Sequence, residues 1–216
     1  MEFYSIVAFF QKGGLFMYPI MLVFAVGMAI TVERWLQLRR TQSVNSKMWD
    51  LVHPVLAEGE FDKAREMVNK DKSNMAKMLE MGLARQGAVR RREDIKIAME
   101  ESMMEIIPQL EKRTPYVALL ANIATLLGLL GTIMGLIAAF TAVAAANPAE
   151  KADLLSASIS VAMNTTAFGL MSAIPLLLFH AMLTSTTGQI VDSLEMASVK
   201  ALNSISNFAT RQFDRS

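Results

Sequence analysis

The sequence predicts an all-α integral membrane protein with three transmembrane helices and a helical domain outside the bilayer. Three observations predict it. Of the 216 residues, 53% are hydrophobic and only 19% charged, a balance found in membrane proteins. Three stretches lack charge for long enough to cross a bilayer. The remaining apolar residues recur at helical spacing, and no strand-like alternation interrupts them.

The expected order is an outward-facing N-terminal segment, residues 1–12, followed by a first transmembrane helix over 13–38. Its uncharged part, Gly13 to Val32, is 20 residues long, about 30 Å as helix and so one hydrocarbon thickness. The N-terminus has no basic n-region and no small-residue cleavage site, so this stretch reads as a retained span rather than a signal peptide. Residues 39–113 form a cytoplasmic helical domain. Within it, Trp49, Val52 and Leu56 make an apolar face, expected to break near Pro54; Gly59-Glu60-Phe61-Asp62 opens a new helix; and Ser73 or Asn74 caps another. Arg90-Arg91-Arg92-Glu93-Asp94 starts a longer helix carrying Ile95, Ala98, Met99, Met103 and Ile106 on one face. The second transmembrane helix occupies 114–146, a periplasmic turn 147–153 with its Asn147-Pro148 pair, and the third transmembrane helix 154–187. So short a connector makes the last two spans an antiparallel hairpin. Residues 188–216 continue as a cytoplasmic C-terminal helix, with Ile190, Leu194, Ala197, Ala201 and Ile205 in period.

Orientation follows from the basic residues nearest the membrane. Arg34, Arg39 and Arg40 follow span one, and Lys112 and Arg113 precede span two. The other side has only Lys12 and Lys151. The segment 34–113 and the C-terminus are thus expected on the cytoplasmic side, and the N-terminus outside.

Composition excludes several function classes. There is no cysteine, hence no disulfide, thiolate metal site or cysteine nucleophile. The two histidines are far apart, and no metal or cofactor is expected. A net charge of +1 offers no basic field for nucleic acid. No nucleophile–base pair or phosphate loop points to an enzyme.

Polar side chains in the spans are the remaining chemistry, since they are costly in lipid and face protein or water. Span two carries Asn122, Thr125 and Thr132 on one face, with Gly128, Gly131 and Gly135 for close packing. Span three carries Asn164, Thr165 and Thr166, the small residue Gly169, and Pro175 as a hinge or kink. Such stripes can line a narrow pore with hydroxyls or serve close helix packing alone. No Asp, Glu, Lys or Arg lies within the uncharged stretches, and His180 near the end of span three is better read as interfacial or packing. If the chain conducts protons, the titrating group must come largely from another polypeptide.

The run Leu126-Leu127-Gly128-Leu129-Leu130-Gly131-Thr132-Ile133-Met134-Gly135, the run Thr166-Ala167-Phe168-Gly169-Leu170 followed by Ala173-Ile174-Pro175, and Glu33-Arg34 after span one together resemble the ExbB/TolQ/MotA proton-channel family, on its three-span ExbB/TolQ branch. The resemblance implies a homo-pentameric ring around two helices from a single-span partner of the ExbD/TolR type, whose intramembrane aspartate takes up and releases the ion. A TonB- or TolA-like protein is a further implied partner, besides membrane lipids. Thr132 and Thr166 match the family's pore-lining threonines; Thr165, Asn164 and Thr125 extend the candidate ion path. The implied function is an inner-membrane motor subunit coupling proton motive force to work on envelope partners. Two departures stand out: Val161 occupies a position where many ExbB proteins have glutamate, and Thr125 stands where the family often has proline. The alternatives are a non-conducting membrane scaffold or assembly protein, and a sodium-coupled or motility member of the same family.

Overall fold

The computed structural model describes residues 14–85 and 92–213. Among these residues there are six helices and no strand: α1 Met17–Glu58, α2 Phe61–Asn69, α3 Asn74–Arg85, α4 Arg92–Glu111, α5 Thr114–Ala145 and α6 Lys151–Phe213. The expected N-terminal segment 1–12 and the first two arginines of the 90–92 run lie outside the described residues.

Three segments are long and apolar enough to span a bilayer, falling in α1, in the α4–α5 stretch and in α6. Only 22%, 22% and 28% of their most apolar windows is buried within the chain. Leu22, Val26, Leu126, Ile137, Ile174 and Leu178 point outward instead. An exposed apolar surface of this extent requires an apolar surrounding. The chain is a multi-pass membrane protein.

The chain divides into two compact units. The first contains α1 up to Arg34 and the segment Arg113–Met182. Its core is the α5–α6 hairpin. The turn is shorter than the sequence suggested, because α6 already begins at Lys151; the Glu150 N–H donates to the Asn147 carbonyl at 3.0 Å. Ala121, Ala124, Gly128 and Gly131 of α5 are buried, as are Ala162, Thr165, Gly169, Ser172 and Leu176 of α6. Both rows step by alternating three and four residues, the spacing that keeps one narrow seam facing a partner helix. α1 keeps the same period with one gap: Met17, Ile20, Gly27, Thr31 and Arg34 are buried, and Phe24 is half-buried. Thr31 hides its hydroxyl by donating to the Gly27 carbonyl at 2.8 Å. At Gly27 a Cβ would come within 2.8 Å of Leu176, so glycine allows α1 to approach α6.

The second unit contains Trp35–Lys112 and the chain from Leu183 onward. Here α1 runs unbroken through Pro54 to Glu58, contrary to the expected break. Val52, Val55 and Leu56 are fully or nearly buried around that proline, and this packing offsets the lost backbone bond. The helix stops at Gly59, whose φ of 83° is left-handed; the Phe208 ring lies over its Cα, leaving no room for a side chain. Ser73 caps α3, its hydroxyl accepting the Ala76 N–H at 3.1 Å, as the sequence predicts for Ser73 or Asn74. Met75, Met78, Leu79 and Leu83 of α3 are buried, as are Ile95, Ala98, Met99, Met103 and Ile106 of α4, the face read from periodicity. Each Met, Leu or Ile among them contributes about 1.5–3 kcal/mol on full burial. Ile190, Leu194, Ala197, Ala201 and Ile205 of α6 are buried too.

Candidate ion path in the α5–α6 hairpin

The hairpin crosses backbone on backbone. A Cβ at Gly169 would lie 2.8 Å from the Ala124 carbonyl oxygen and 3.0 Å from the Gly128 Cα. One at Gly128 would lie 3.2 Å from the Gly169 Cα. Small residues on both helices are what permit this approach. Gly131 abuts the Thr165 methyl, and Gly135 abuts Ala162, where a Cβ would reach within 2.8 Å. All four packing glycines named from the sequence therefore sit at the α5–α6 contact.

This close approach brings Thr132 and Thr166 together, although 34 residues separate them. Their hydroxyls contact each other directly. Thr166 also donates to the Gly128 carbonyl at 3.0 Å. Thr132 lies 3.3 Å from that same oxygen and 3.4 Å from the Ala162 carbonyl. Each hydroxyl has one hydrogen to give, so two hydrogens are shared among four oxygen atoms that carry spare lone pairs. The cluster has more acceptor than donor capacity. It can receive a proton-bearing group or help replace the hydration of a cation, but it contains no group that titrates. Both threonines are half-buried, so one side of the cluster is open.

The other candidates are placed differently. Thr165 is 2% exposed, and its hydroxyl donates to the Val161 carbonyl at 3.0 Å; it belongs to the packing seam. Thr125 is exposed on α5 and bonds back to the Ala121 carbonyl at 3.2 Å, apart from the Thr132–Thr166 cluster. Asn164 is half-buried, and Asn122 is exposed. Pro175 is inside α6, which continues helically on both sides, and it removes the N–H that would bond the Met171 carbonyl. Val161 faces Gly14: a Cβ there would come 3.1 Å from the Val161 methyl.

Sequence reasoning missed a tie at one end of the unit. Arg113 is the residue before α5, and its φ of 67° is the one left-handed non-glycine value among the described residues. Its guanidinium donates to both carboxylate oxygens of Glu33, at 2.6 and 2.8 Å. The pair links α1 to the start of α5, and Glu33 places negative charge near a helix N-terminus, where it is favoured. Neighbouring Arg34 is 2% exposed. In the sequence Glu33 and Arg34 carry part of the family resemblance and flank a span as charges, with no partner named; the three-four seam through Thr31, Arg34 and Leu38 was the available signal that Arg34 turns inward.

A search of curated proteins returned no match. The model of the MotA/TolQ/ExbB proton channel family matches residues 70–196, more than half of the chain, including α5, the turn and the Thr132–Thr166 cluster. With three long apolar helices and that match together, the chain belongs to the MotA/TolQ/ExbB proton channel family.

Proposed function

We propose that this protein is the ring-forming channel subunit of an inner-membrane motor that couples proton motive force to mechanical work on envelope partners. In this reading the chain forms a homo-pentamer, with its N-terminus periplasmic and its C-terminus cytoplasmic. A single-span ExbD/TolR-type subunit supplies the titrating aspartate, and a TonB- or TolA-like protein receives the force.

The observation that carries the proposal is the acceptor-rich Thr132–Thr166 cluster, set in uncharged stretches of the hairpin that hold no acid. A protonated carboxylic acid on a partner helix would donate to it; the ionised form would accept from the two hydroxyls. The cluster thus interacts with both states of a carrier it lacks. Thr132 and Thr166 are the pore-lining pair, Asn164 and Thr125 flank them along the path, and Thr165 holds the helices together.

The test is ion flux in proteoliposomes containing the chain and its single-span partner. Thr132→Val and Thr166→Val keep the side-chain shape. Each should cut proton flux about tenfold or more, the equivalent of losing one hydrogen bond to a charged group, while native mass spectrometry still finds the ring. Normal flux in both variants would turn the cluster into packing and put the ion path elsewhere, whereas no flux in the parent complex would favour the scaffold. Two hydroxyls and two carbonyls also suit a hard cation, so flux driven by a sodium gradient alone would select the sodium-coupled variant.

A further inference from the structure

The outward side of α1 carries one regular stripe. Tyr18, Leu22, Ala25, Ala29, Val32 and Leu36 are all exposed, and they step by alternating four and three residues. The next step of that stripe is Arg39, also exposed. On a helix long and apolar enough to cross a membrane, so extended an apolar stripe faces lipid tails. One face of α1 therefore leads from lipid tails to a guanidinium.

A second observation fixes where that guanidinium sits. Arg39 lies over the Trp35 ring, 5.0 Å from its centroid, a cation–π contact. Side chains of a helix lean towards its N-terminus, which for α1 is the side of the span. Stacking on the ring one turn back holds the charge at the level of Trp35. At about 1.5 Å of rise per residue, Trp35 is about 5 Å and Arg39 about 11 Å along the helix past Val32, the end of the uncharged stretch. Lipid headgroups extend about 5–8 Å beyond the hydrocarbon. An Arg39 side chain pointing straight out would lie beyond them; stacked on the indole it lies among them. None of the ion pairs among the described residues involves Arg39, and Glu33, the nearest carboxylate along α1, is held by Arg113.

We propose that Trp35 and Arg39 form a binding site for the headgroup of an anionic phospholipid, in the leaflet at this end of α1. Leu36, 56% exposed, meets the start of the acyl chains. The Trp35 indole, 37% exposed, takes the boundary between tails and headgroups, where its amphipathic ring is favoured. The fork of guanidinium N–H donors on Arg39 takes the phosphate. A zwitterionic lipid offers the same phosphate but brings a second cation beside Arg39, so the site prefers a headgroup with net negative charge. The proposal rests on the chain being a membrane protein and not on the motor reading.

The experiment uses the full chain in phosphatidylcholine bilayers, with Trp49→Phe leaving Trp35 as the sole indole. Phosphatidylcholine is replaced stepwise by phosphatidylglycerol with brominated acyl chains, or by brominated phosphatidylcholine, and quenching of Trp35 is read. Phosphatidylglycerol should quench at a mole fraction about fivefold lower, the factor of one basic side chain at an anionic surface. Arg39→Gln should bring the two lipids together. Arg40→Gln removes the same charge from the next position, which lines the cavity between α1 and the start of α3, and it should leave the preference intact. The site is overturned if both lipids quench the parent equally, or if Arg39→Gln keeps the preference. It is overturned too if Arg40→Gln loses as much, since the effect would then be a general surface field. Soluble glycerol phosphate, at a concentration matching the anionic lipid, should not abolish the preference; if it does, the ligand is a free phosphate ester and the lipid site fails. None of these readouts uses ion flux, so they succeed or fail independently of the motor reading.

Discussion

Arg113 combines a left-handed backbone with an ion pair in which one guanidinium nitrogen, Nη1, reaches both carboxylate oxygens of Glu33. The two effects oppose each other. The backbone costs about 1–2 kcal/mol in a residue with a Cβ, while an ion pair whose side chains are each 50% exposed is worth at most about 1 kcal/mol. Arg113→Gly removes both, so its thermal midpoint should match the parent or exceed it slightly. Arg113→Ala keeps the strain and loses the pair, and it should unfold earlier than the glycine variant. A midpoint for the alanine variant equal to or above that of the glycine one would show that the left-handed conformation is not retained in solution. Gly169 poses the opposite case, because a methyl there meets backbone rather than a yielding side chain. Gly169→Ala should destabilise the hairpin by about 1–3 kcal/mol, read as a loss of thermal midpoint in detergent.

At the scale of elements, α1 passes through Pro54 without its regular hydrogen bond to Asp50. Pro54 is exposed, so replacing it creates no cavity. Pro54→Ala should raise stability, by up to about 3 kcal/mol, and a lowered midpoint would mean that the ring itself supports the fold. Helix existence, the hairpin and the faces of α4 and the end of α6 were legible because periodic apolar residues dominate there. The passage of α1 through Pro54 was not, because local propensity argued for a stop and the buried neighbours Val52, Val55 and Leu56 overrode it. The packing glycines could be read from small-residue spacing. The separation of Thr132 and Thr166 from Thr125 could not: helix periodicity placed all these hydroxyls along neighbouring stripes, and only the register of α5 against α6 decides which ones meet. The Glu33–Arg113 pair joins residues 80 positions apart, beyond any local pattern.

For the whole molecule, the exposed apolar surface extends beyond the spans. Leu51, Ile97, Met104, Met196 and Val199 are exposed and apolar, and all lie in the second unit, away from the uncharged stretches. In the proposed ring they are the residues available for subunit contacts. Native mass spectrometry of the chain with its single-span partner should give a five-to-two complex, and Met104→Glu should shift it towards smaller species. A monomer that ignores the partner would remove the motor reading.

The crossing at Gly128 and Gly169 constrains how such a channel could gate. Where side chains interdigitate, a helix can shift against its neighbour by changing rotamers. At this crossing there are no rotamers to change, since main chain rests on main chain. The two helices must travel as a rigid body, and the paired hydroxyls of Thr132 and Thr166 travel with them. Opening and closing then cannot come from parting the hairpin. In the proposed channel the whole hairpin would turn, so that the open side of the hydroxyl pair meets the proposed partner's acid in one orientation and is withdrawn in the next.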